Sequence, residues 1–179
     1  MKYSQIALSL LLTLACFTLQ ATAAAQTIYR PSSNTAVGGS GFDNPTNFYD
    51  GDLSTAATKS VVVGSHNAGG GASTQWQGFP AIVGTPTSIV LKIVSKAFAG
   101  AGTDISSQAV VTYSTNNGIT WNTVYIVSPG FRSEATDAIQ LPLTTDLTAV
   151  RIRAAVTAAP GSVGASCTMY EGWVEVTTN

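Results

Sequence analysis

The stretch NPTNFYDGDLST, residues 44–55, gathers more chemistry than any other part of the chain. Two carboxylates, Asp50 and Asp52, flank Gly51, and Ser54 and Thr55 follow at once. A glycine between two acids lets the backbone turn tightly and aim two oxygens at one point. The hydroxyls and nearby carbonyls add further oxygens. A hard cation such as calcium takes roughly six to eight oxygen ligands, and loops of this kind supply them. The same residues also build an Asx turn with no metal and with solvated acids. Spacing alone leaves both readings open.

Catalytic chemistry has little to stand on. The only histidine is His66, in the glycine-rich HNAGGGAS, and a lone histidine makes neither a zinc site nor a triad. No G-x-S-x-G elbow is present. Asp104, Glu134, Asp137 and Asp146 lie in turn-like segments and read as solvated loop charges. Glycoside hydrolysis needs two acids flanking a cleft instead. The chain therefore reads as a non-enzyme. Ligand binding has more support. Sugars are held by an aromatic face with a few fixed polar groups. His66, Asn67 and Trp76 lie around the glycine-rich loop, and Phe131-Arg132 follows the Pro129-Gly130 turn. His66, Trp76 and Arg132 are the candidate ligand residues. Trp76 as packing, with His66 and Arg132 as surface polar groups, is the structural alternative.

The elements that must position these residues show period-two patterns. TSIVLKIVSK (87–96) puts Ile89, Leu91 and Ile93 on one face. QAVVTYS (108–114) groups Ala109, Val111 and Tyr113; TAVRIRAAV (148–156) groups Val150, Ile152 and Ala154, with Arg151 and Arg153 pointing out. CTMYEGWVEVTT (167–178) sets Tyr170, Val174 and Val176 against Glu171, Trp173 and Glu175. Such alternation predicts strands with one buried face. TKSVVVG and TQWQGF are shorter candidates. Gly-, Asn- and Pro-rich turns separate these runs, and no helical stretch is long enough for crossovers. The pattern predicts an all-β antiparallel β-sandwich.

NFYDGDLST resembles the early signature of discoidin-like, galactose-binding-like β-sandwich domains. MYEGWVEV (169–176) is similar to that family's last strand, and WQGFPAI followed by SIVLKI to its step into the central strands. The resemblance implies a jelly roll and a structural calcium between the D-G-D loop and the acid opening the last strand. It would put Asp50, Asp52 and Glu171 on the metal, with Asn47 and Thr55 adding oxygens. YSTNNGITW (113–121) resembles a single Asp-box with Asn116 in the Asp position, which implies a tight structural hairpin.

The N-terminus sets the compartment. Lys2, an apolar run from Ile6 to Leu19 and the small residues Ala21–Ala25 form a signal peptide over residues 1–25. The run is short for a bilayer span, and the surroundings of Cys16 match a lipoprotein box poorly. Residues 26–179 then form one domain, secreted or extracytoplasmic, with seven basic and nine acidic side chains. Nothing basic runs together, which argues against nucleic acid, and no membrane span follows the signal. Cys167, left alone after cleavage, reads as a small buried hydrophobe, with an intermolecular disulfide as the alternative. The reading is a secreted, non-catalytic binding module for glycans or another extracellular surface. The alternative is a structural or adhesive surface protein working through protein–protein contacts.

Overall fold

The computed structural model describes residues 24–61, 71–102 and 107–179. His66, Asp104 and nearly all of the signal segment lie outside these ranges. Ten strands are present among the described residues: β1 Ala25–Tyr29, β2 Ser33–Gly39, β3 Ala57–Val61, β4 Gly71–Gln77, β5 Pro86–Ala99, β6 Gln108–Ser114, β7 Asn122–Val127, β8 Gly130–Gln140, β9 Arg151–Thr157 and β10 Ala165–Thr178. Sheet one runs β1-β10-β5-β8, with β3 also on β10; sheet two runs β2-β4-β9-β6-β7. Every pairing is antiparallel. The fold is the all-β antiparallel sandwich that the alternation predicts and the jelly roll that the resemblance implies, with its first and last described strands paired.

The core fills the space between the sheets. Ile89, Leu91 and Ile93 of β5 are fully buried, as are Val150, Ile152 and Ala154 around β9 and Ala109 and Val111 of β6. Burying each of the valine, leucine and isoleucine side chains contributes about 2 kcal/mol by removal from water. Trp76 sits among them with Phe42 and Phe48, its ring centre 4.4 Å from that of Phe48. Its indole N–H donates to the Pro45 carbonyl at 2.8 Å, so the one polar atom of the ring is satisfied. Cys167 is also buried, and burial pushes its thiol up to about 12, consistent with a packing role.

Strand β10 departs from simple alternation. Cys167 and Met169 face the core, then a bulge between Met169 and Glu171 shifts the register, and Val174 and Val176 face the core instead. Tyr170 therefore does not share the buried face of Val174 and Val176, contrary to the expected period. It lies half-buried, with the Lys96 ammonium over its ring. The bulge also brings Gly172 against Phe48, where an added Cβ would overlap the aromatic ring.

The edge of β10 is split. β3 pairs with Ala165–Met169 and β1 with Val174–Thr178, leaving a break at residues 170–173. Arg30 directly follows β1, and the D-G-D loop leads into β3. Both therefore arrive at this break. At the opposite side, β7 ends sheet two and β8 ends sheet one.

The 114–121 hairpin is held by its own side chains. Ser114 Oγ accepts from the N–H groups of Asn116 and Gly118, and Asn116 Oδ1 accepts from the Thr120 N–H. Asn117 and Gly118 have positive φ, which these residue types adopt at low cost. Trp121 folds back to donate to the Gly118 carbonyl, and the Arg153 guanidinium covers its ring at 4.0 Å.

Candidate functional site

The D-G-D loop satisfies its own acids. Asp50 Oδ1 accepts from the Asp52 N–H at 2.9 Å, and its Oδ2 from the Thr55 hydroxyl at 2.7 Å. Asp52 Oδ1 accepts from the Ser54 N–H at 2.8 Å. Hydrogen bonds from Ser54 hold the Asp52 carboxyl below its ordinary range. Asn47 turns its amide N–H toward the Ala56 carbonyl.

Glu171 lies beside this loop, buried in the β10 break. Its Oε1 accepts from Arg30 Nε at 2.9 Å and its Oε2 from the Gly51 N–H at 3.0 Å. The guanidinium packs on Gly51, 3.5 Å from where a Cβ would stand. Burial pushes the Glu171 carboxyl above its usual value, partly offset by Arg30 and the Gly51 N–H. The loop and the last strand thus meet, as the resemblance implies. The donor set fits a calcium ion poorly, however. Both Glu171 oxygens already accept hydrogen bonds, and the positive charge against them is a guanidinium. No group of three His, Cys, Asp or Glu suited to an ion occurs among the described residues.

Of the three candidate ligand residues, the two that are described, Trp76 and Arg132, do not converge. Trp76, expected at a sugar-facing position, is 0% exposed in the core, so its faces are closed to ligand. His66 lies outside the described residues. Arg132 stands on β8 beside a groove of about 580 Å³ between β7 and β8. Phe131, 72% exposed, and Ile126 supply apolar surface there. Arg132 donates to Asp137 Oδ2 at 2.7 Å, and its guanidinium lies 4.1 Å from the centre of the Tyr125 ring. Its Nε is buried with no hydrogen-bond partner among the described residues.

Local geometry explains the pair. Residues five apart on a regular strand face opposite sides. The β5–β8 register shifts between Ser95 and Ala97, where Arg132 pairs with Ala97 and Ala135 with Ser95, so β8 carries one extra residue. That bulge returns Arg132 and Asp137 to one face. Asp137 and Glu134 are strand residues rather than the loop charges expected of them. Asp146 does occupy a turn, capping the short 3-10 helix Leu147–Ala149 through the Thr148 N–H. Tyr125 and Asp137 went unrecognised as neighbours of Arg132; the Arg-x-x-x-x-Asp spacing becomes informative only once a bulge is known.

No protein-family description matches the chain, and no curated protein matches it. Among solved structures it is similar to the CBM32 of AlyQ in complex with 4,5-unsaturated mannuronic acid. That match has 16% identity and a TM-score of 0.40, over 84% of this chain and 97% of the other. It is also similar to TmCBM61 in complex with β-1,4-galactotriose, at 10% identity and TM-score 0.40 over 83% and 86% of the two chains. A third is the K3 cleaved adhesin domain of Lys-gingipain from Porphyromonas gingivalis, at 10% identity and TM-score 0.45 over 87% and 99%. The chain spans 34% of a truncated AlyQ carrying CBM32 and alginate lyase domains, at 15% identity and TM-score 0.42 over 87% of this chain.

Proposed function

We propose that the chain is a secreted, non-catalytic glycan-binding module that takes its ligand in the β7–β8 groove. The observation that carries this reading is an exposed aromatic, Phe131, beside the half-buried Arg132, whose buried Nε has no hydrogen-bond partner among the described residues. A pyranose presents an apolar C–H face and a rim of hydroxyls. Phe131 offers a surface for the first, and Arg132 with Asp137 offers donors and acceptors for the second. A second reading, adhesion through protein contacts, draws on the eleven-residue β8, which ends its sheet with one side unpaired among the described residues.

A glycan array followed by calorimetry on the secreted protein tests the proposal. Binding of at least one glycan is expected, weakened about tenfold by Phe131→Ala, as loss of one aromatic contact worth about 1.4 kcal/mol implies. Retention of no glycan, or equal binding by Phe131→Ala, overturns it. Concentration-dependent self-association in that case supports the adhesive reading.

A further inference from the structure

A second, smaller pocket opens at the β10 break, on the opposite edge of sheet one from the groove. Its volume is about 180 Å³. Ile28 and Leu53, both at least half exposed, wall it together with the half-buried Trp173. The Trp173 indole N–H donates to Glu175 Oε1 at 3.0 Å. Glu175 is in turn held by Lys92 at 3.2 Å. A bond to a residue two positions along the same face draws the indole along the strand rather than out into water.

The polar side of the pocket is Arg30 above Glu171. Arg30 uses Nε on Glu171, while its terminal N–H groups make no hydrogen bond among the described residues, and its side chain is 38% exposed. Each positive charge here is matched: Arg30 by Glu171, Lys92 by Glu175. A charged ligand would meet a charge of its own sign close to any partner it found. A neutral, amphipathic ligand meets no such penalty. The volume equals the share of about six waters at ~30 Å³ each, on the scale of one sugar ring and too small for a chain of them.

Resting on the glycan-binding reading, we propose that this pocket is a second site that binds one neutral sugar unit. The ring lies against Trp173 and Leu53, and its hydroxyls accept from the terminal N–H groups of Arg30 and donate to Glu175. The groove binds a longer stretch of glycan; the pocket takes a single unit. Two sites on one rigid domain raise avidity for branched or clustered glycans without any new contact.

Trp76 is buried and Trp121 lies under Arg153, so Trp173 is the indole placed to report on a bound sugar. Neutral methyl glycosides of galactose, glucose, mannose and N-acetylglucosamine are titrated into the full secreted protein, followed by emission and by calorimetry. Glucuronic acid and glucosamine serve as charged controls. One neutral sugar is expected to give a saturable emission change that Trp173→Phe abolishes. Calorimetric affinity is expected to fall at least tenfold in Trp173→Ala and in Leu53→Asp, and the saturable Trp173 emission change is expected to persist in Phe131→Ala. Leu53→Asp alters an exposed loop position, so it remains informative if Trp173→Ala unfolds. The proposal is overturned if no neutral monosaccharide binds, if a charged sugar binds more tightly, or if Phe131→Ala alone removes binding. Phe131-dependent glycan binding in that event leaves the groove standing. Loss of every glycan signal from the wild-type protein removes both sites.

Discussion

Glu171 is a carboxylate kept from water by the strand it belongs to, and its titration follows from that. Its folded value lies above the ordinary 4.5 because burial outweighs Arg30 and the Gly51 N–H. From pH 4.5 up to the raised value, the folded protein retains a proton that the unfolded chain has released. The stability this group contributes is full below 4.5 and falls as pH rises through the folded value. Melting curves against pH are expected to show the wild-type stability, taken relative to Glu171→Gln, declining across that window. A difference that grows with pH would mean that the arginine outweighs burial. Arg30 itself had no signal in the sequence, because its partner lies 141 positions away. Trp76 misled for a related reason. Its strand turns Ala72, Thr74 and Trp76 inward, and the polar Thr74 breaks the apolar rhythm that would have marked the tryptophan as core. Thr74 is inward to accept the Phe42 N–H at 2.7 Å, a demand set by a distant segment.

Strands β5, β6 and β9 were legible because each buries most of one face, with Tyr113 of β6 only half-buried, so period two survives in their residues. β1, β2 and β8 were not, since β1 buries only Tyr29 and β2 and β8 bury no residue fully. Their pairing is enforced by neighbours rather than by their own pattern. Bulges were equally invisible, yet they place the key groups: one aligns Arg132 with Asp137, and another seats Gly172 under Phe48. The second arrangement can be tested by size exchange. Gly172→Ala is expected to destabilise the protein by about 1–3 kcal/mol through overpacking. In a Phe48→Ala background the same change is expected to cost much less. Denaturant unfolding of the four proteins in the cycle checks this, and additive costs would show that the ring and the glycine do not share the space.

Across the whole molecule, the first strand, the D-G-D loop and the last strand are tied together at one break in sheet one. An ion has been one candidate for that tie; the geometry supplies a guanidinium. The wild-type melting temperature is therefore expected to be unchanged by calcium or chelator. Arg30→Met is expected to lower stability by about 2 kcal/mol, below the range for a fully buried pair because the arginine side chain is 38% exposed. A fall in melting temperature with chelator would place a metal in the tie. The register of β1 on β10, with Ala25 opposite Thr178 and Tyr29 opposite Val174, has a mechanical consequence. Tension applied between residues 26 and 177, which are also paired, pulls the two strands apart from one end, so their hydrogen bonds break in succession rather than in parallel. β1 peels toward Tyr29 and draws Arg30 away from Glu171, so the sandwich yields under load at its tie before its core is strained.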